Sequence, residues 1–98
     1  MIIVGEKINS SIKAVRSAIE SNDSKLIQDL AKNQYDAGAA FIDVNARTLC
    51  DTESERLEWL VNTVQEAIDA PFSIDSTNPE AIERALKANK NGKPIINS

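Results

Sequence analysis

Phe41-Ile42-Asp43-Val44-Asn45 decides the fold class, because from Ile42 onward apolar and polar side chains alternate one for one. Residues two apart on a strand share a face. Ile42 and Val44 therefore point one way, and Phe41, Asp43 and Asn45 the other. A strand with one face reserved for a helix layer and a carboxylate and an amide near its C-terminal end is the strand of an α/β protein, where ligands meet the carboxyl ends of parallel strands.

Working outward, three more short apolar runs end in the same way: Val4-Gly5-Glu6, Ile74-Asp75-Ser76 and Ile96-Asn97-Ser98. Four polar tips on successive strands read as one binding mouth, the other reading being loop-entry residues and helix caps. The first run, Ile2-Ile3-Val4, is expected as a strand followed by a polar loop from Glu6 to Ser11. Ile12, Val15 and Ile19 then recur at helical spacing. Ser21-Asn22-Asp23 interrupts, and Ser24 opens a second helical piece carrying Leu26, Ile27, Leu30, Ala31 and Tyr35, with Gly38 suited to end it.

After the second strand, Thr52-Glu53-Ser54-Glu55 reads as a capping box ahead of an apolar stripe at Leu57, Leu60, Val61, Val64 and Ile68. Pro71 is expected to stop that helix and lead into a third strand, Phe72 to Asp75. Thr77 or Asn78 can cap the next helix, with Pro79 at its first position and Ala81, Ile82, Ala85 and Leu86 facing inward. Asn91-Gly92 turns the chain into a fourth strand at Ile95-Ile96. Alternating strands and helices imply a parallel sheet with right-handed crossovers. By alternation Glu6, Asp43, Asn45, Asp75 and Asn97 collect on one interior face.

That pattern predicts a (β/α)8 TIM barrel of which residues 1–98 are the N-terminal part of a single domain, covering about the first four strands and three crossovers, since a complete barrel takes about 250 residues. A small flavodoxin-like domain is the other doubly wound option, usually with five strands.

Composition narrows the function. Of 98 residues, 42% are hydrophobic and 27% charged, enough apolar material for one core. The net charge of −4, with no basic cluster, gives no electrostatic footprint for nucleic acid or an anionic membrane. No apolar stretch approaches the ~20 residues of a membrane span, and the single cysteine, Cys50, suits a reducing compartment, so a cytoplasmic protein is expected.

With no histidine and one cysteine, Ser-His-Asp and Cys-His catalysis and zinc sets are out of reach. Glu6, Asp43 and Asp75 are of the hard-oxygen type that holds Mg²⁺. The glycines, Gly5, Gly38 and Gly92, are isolated and form no phosphate loop, so no metal is expected. Paired carboxylates also fit glycoside hydrolysis, but few aromatics remain to stack a sugar. A carboxylate can take paired N–H donors from a flat heterocycle such as an amino-pyrimidinone, and an amide can read a neighbouring carbonyl and ring nitrogen together. Asp75 and Asn97, on adjacent strands, can do so side by side. Alternatively Asp75 caps the Asn78–Ala81 turn and Asn97 is a buried amide satisfying backbone groups.

At these residues the chain resembles the pterin-binding methyltransferases, meaning the methyltetrahydrofolate:corrinoid protein methyltransferases and the folate-binding barrel of cobalamin-dependent methionine synthase. The matching elements run in order: Gly5-Glu6-Lys7-Ile8-Asn9, Gly38-Ala39-Ala40, Asp43-Val44-Asn45, Asp75-Ser76-Thr77-Asn78 and Ile96-Asn97-Ser98. The resemblance implies transfer of the methyl group of N5-methyltetrahydrofolate to the cobalt of a corrinoid (cobalamin) on a partner protein or domain, and a homodimer as the full-length protein. It implies that Asp75 and Asn97 hydrogen-bond the pterin ring, that Glu6, Asn9, Asp43 and Asn45 line the same mouth, and that no side chain acts as nucleophile. Dihydropteroate synthase shares the fold and pterin site, and a non-catalytic half-barrel that pairs through its open edge strands is the reading outside enzymology.

Overall fold

A computed structural model describes residues 4–97. Its elements are β1 (Val4–Asn9), α1 (Lys13–Glu20), α2 (Ser24–Asp36), β2 (Phe41–Asn45), a 3-10 stretch (Arg47–Thr52), α3 (Glu53–Gln65), β3 (Phe72–Asp75), α4 (Pro79–Ala88) and β4 (Ile95–Asn97). The four strands are all parallel and lie in the order β1-β2-β3-β4. Strands that follow one another in chain order are what the first half of a pterin-binding barrel requires, whereas the flavodoxin-like order, 2-1-3-4-5, places the second and third strands on either side of the first.

The β2–β3 pair builds the core. Ile42 lies beside Phe72 and Val44 beside Ile74 in the ladder, and all four are fully buried in one apolar cluster with Leu57, Leu60, Val61 and Val64 of α3. Burial of this kind stabilises by roughly 1.5–3 kcal/mol per large side chain. Between those rows, Asp43 lies beside Ser73. No helix among the described residues is long and apolar enough to cross a membrane.

Helix ends follow local chemistry. Asn22 has positive φ, and the Asp23 carboxylate accepts from the Leu26 amide to start α2. Gly38, at φ 97°, takes the left-handed position after α2 that a Cβ would disfavour. The Asn78 side chain accepts from the Glu80 amide, and Pro79 opens α4.

Five expectations are corrected. Ile2 and Ile3 lie outside the described residues, and the segment Glu6 to Asn9, expected as loop, is strand. The ladder register shifts between Gly5 and Ile8, so a bulge absorbs the polar pair Glu6-Lys7 and returns Ile8 to the core. The capping box does not close: Thr52 makes no side-chain cap bond, its hydroxyl donating instead to the Leu49 carbonyl at 3.3 Å. Helix α3 ends at Gln65, well before Pro71, because the amides of Ala67 and Ile68 both turn back to the Val64 carbonyl. Tyr35 and Leu86 are exposed, at 48% and 42%. Their helices turn other residues inward, Gln34 on α2 and the small pair Ala81 and Ala85 on α4.

The buried Gln34 amide secures the bulge: its Oε1 accepts from the Lys7 amide at 3.3 Å and its Nε2 donates to the Leu30 carbonyl at 3.3 Å. A Cβ on Gly5 would collide with this head group. Gly5→Ala is therefore expected to destabilise the fold by roughly 1–3 kcal/mol, as overpacking does. Denaturant unfolding measures this, and Gln34→Ala in the same chain should recover part of the loss.

Candidate functional site: a polar row across the strand tips

The C-terminal ends of the strands carry one continuous row. Asn9 of β1 pairs in register with Asn45 of β2, and Asp75 of β3 with Asn97 of β4. The Asn45 Nδ2 closes the row by donating to Asp75 Oδ2 at 3.3 Å. The row exists because alternation sends Ile42, Val44, Phe72 and Ile74 to the helices, leaving the polar partners on the other face.

One step below it, Asp43 is 4% exposed and accepts from the Ser73 hydroxyl at 2.7 Å. Burial pushes the Asp43 carboxyl up to about 6; the Ser73 bond works against this, while Asp75, by charge and hydrogen bond, and then the Glu6 charge add to it.

Glu6 is the residue the row leaves out. The bulge breaks the alternation on which its placement rested, and Glu6 is exposed, lining with Gly5, Lys7, Ile12, Gln34 and Ala39 a cavity of about 460 Å³ at the β1 edge. Only its electrostatic reach to Asp43 ties it to the site. Asn9 sits in the row, but its Oδ1 is engaged locally by the amide and hydroxyl of Ser11, at 2.9 and 2.8 Å. Neither alternative reading of the other two holds: Asn78 caps α4 in place of Asp75, and Asn97 is exposed and not a buried amide.

Arg47 is the residue that sequence reasoning missed. Its guanidinium pairs with Asp75, and the same Nη2 donates to the Asn97 carbonyl at 3.3 Å, so one side chain spans the tips of β2, β3 and β4. Its backbone amide donates to Asn45 Oδ1 at 2.9 Å. An Asn side chain commonly bonds the backbone two residues on, so the turn was locally legible, while the reach of the guanidinium was not. Ser10, Glu53 and Ser76 were missed as well. The Ser76 hydroxyl donates to the buried Glu53 carboxylate at 2.7 Å and accepts the Asn78 amide at 3.0 Å. The Thr48 hydroxyl donates to the Ser10 carbonyl at 2.9 Å, joining the loops after β1 and β2.

The family model of the pterin binding enzymes matches residues 6–98. The chain belongs to the pterin binding enzyme family. It is also 44% identical over 99 residues to the methylcorrinoid:tetrahydrofolate methyltransferase of Eubacterium limosum, an alignment taking in 100% of this chain and 36% of that protein. The chain thus spans little more than a third of the length of the relative it matches.

Acceptor and amide positions remain open along the row. Asp75 accepts one bond on each oxygen, and a carboxylate has about four acceptor positions. The Asn97 amide is exposed and makes no side-chain hydrogen bond among the described residues. Among those residues no three His, Cys, Asp or Glu side chains are grouped to hold a metal ion.

The raised Asp43 carboxyl makes a pH prediction. The native state binds its proton more tightly than the unfolded chain, so this stabilising contribution is complete below about pH 4 and is lost as pH rises through about 6. At neutral pH, Asp43→Asn keeps an acceptor for Ser73 and removes the buried charge. It should raise stability by about 2–3 kcal/mol at pH 7.5, with the gain shrinking toward zero by pH 4 in urea unfolding.

Proposed function

We propose that this chain supplies the first part of the pterin pocket of a corrinoid-dependent methyltransferase, residues 1–98 being the N-terminal part of a single pterin-binding barrel domain. The observation supporting this reading is the row Asn9, Asn45, Asp75 and Asn97 across the four strand tips. In it, Asp75 accepts the paired N–H donors of the amino-pyrimidinone ring. Asn97, one strand on, reads the neighbouring carbonyl and ring nitrogen with its free amide. Asn45 holds Asp75 in place from behind. Asp43 and Asn9 form the wall below and beside them, while Glu6, which the bulge carries to the β1 edge, acts on the site only through its charge near Asp43.

The proposed reaction moves a methyl group between N5 of tetrahydrofolate and the cobalt of a corrinoid held by a partner protein. A bound corrinoid would supply the methyl-carrying cobalt, nucleophile in one direction and leaving group in the other, so this chain's side chains bind and orient the pterin and need no covalent role. The name of the Eubacterium limosum relative puts methylcorrinoid first and tetrahydrofolate second. Because the same transition state serves both directions, the pocket proposed for methyltetrahydrofolate as donor equally serves tetrahydrofolate as acceptor. The relative's name also favours methyl transfer over dihydropteroate synthesis. A homodimer is proposed for the full-length protein.

Calorimetric titration with methyltetrahydrofolate tests the reading. Asp75→Ala should weaken binding by about 1.5–3 kcal/mol, the usual size for a hydrogen bond to a charged group. An unchanged affinity removes Asp75 from the site, and no heat at millimolar ligand defeats the proposal.

A further inference from the structure

We propose that Arg47 is a self-ligand of the pocket: its guanidinium holds the place on Asp75 that the ligand's amino-pyrimidinone edge takes, and it must swing out before the ring binds. The inference rests on the reading of Asp75 as the ring's acceptor, and adds a competitor built into the chain.

The chemistry of the two occupants is the same. A guanidinium presents planar N–H donors around one carbon, and the N–C–N edge of an amino-pyrimidinone presents donors in the same arrangement; a carboxylate receives either. Arg47 Nη2 sits on Asp75 Oδ1 and reaches the Asn97 carbonyl at 3.3 Å. Those are the two residues to which the ring reading assigns recognition.

Arg47 is also a poorly satisfied occupant. A single Nη2 makes both contacts, and the buried Nε finds no hydrogen-bond partner among the described residues. An unpartnered buried donor is unfavourable, and the side chain is 40% exposed, so solvent is open to it. The arrangement covers Asp75 in part, yet yields to a better-matched ligand. A pocket closed by its own side chain binds with an affinity lowered by the closed fraction. Arg47 thereby selects against weak cations and amines that cannot displace it, and sets the threshold for the correct ring.

A neutral tetrahydropterin without a glutamate tail is the probe, since a lost positive charge then has no anionic tail to miss. The protein, Arg47→Ala and Arg47→Gln are titrated with it by NMR, at low and high salt. Arg47→Ala and Arg47→Gln should each bind about two- to fivefold more tightly, the order expected for a half-exposed ion pair. Affinity of the unaltered protein should rise with salt as the Arg47–Asp75 pair is screened, and that dependence should vanish in both variants. Guanidinium ion should bind Arg47→Ala, read at the Asn45 side-chain amide, and not Arg47→Ala/Asp75→Asn. Weaker tetrahydropterin binding in the folded variants, or no uptake of guanidinium by Arg47→Ala, overturns the self-ligand. Guanidinium uptake with no tetrahydropterin binding in any form overturns instead the pterin reading on which it rests. Arg47→Gln keeps most of the stem, so a folding defect confined to the alanine variant leaves the comparison intact.

Discussion

The in-register pairing of β2 with β3 is the constraint from which the rest of the molecule follows. Ile42 against Phe72 and Val44 against Ile74 give α3 an apolar wall, and the residues between them, Asp43 and Ser73, are forced onto the opposite face. A slip of one residue would drive the Asp43 carboxylate into the helix layer and expose the isoleucines. The penalty for a buried, unpaired carboxylate is several kcal/mol, so the register that suits the core is also the register that builds the site. Core and pocket are two faces of one ladder.

The tips beyond that ladder are fixed by bonds between loops. Ser76 ties the end of β3 to Glu53 at the start of α3, where a carboxylate also meets the positive end of the helix dipole. Ser10 and Thr48 join the first two loops, and Arg47 bridges the last three strand tips. The Ser76–Glu53 and Thr48–Ser10 bonds fix the loops around the strand tips, while Arg47 occupies Asp75 itself. Asp43 shows the opposing tendency: its carboxyl is displaced upward because it is buried beside other acids.

Most of this was legible in the sequence where one period ruled. Strands β2 and β3 and the cap and proline of α4 are found where alternation and cap chemistry put them, and Gly38 ends α2 as a left-handed glycine should. The failures have physical causes. In β1 the bulge at Glu6-Lys7 interrupts the alternation, so Glu6 left the row and Asn9 entered it as strand. At Thr52-Glu53-Ser54-Glu55 a long-range partner, Ser76, engaged Glu53 at the helix start, while Thr52 turned to the Leu49 carbonyl and left the amides uncapped. Arg47 was invisible because a guanidinium that reaches across 50 positions of chain to the Asn97 carbonyl leaves no local period.

Chemical-shift mapping with a tetrahydropterin tests most directly whether the strand tips form one ligand-reading mouth, because the side-chain amides of Asn9, Asn45 and Asn97 each report from a different strand. The Asn45 and Asn97 amides and the backbone amides of Asp75 and Ser76 should shift together along a single binding curve, with Asn9 following. Shifts confined to the β1-edge cavity around Gly5, Gln34 and Ala39, with the Asn45 and Asn97 amides unmoved, would contradict it.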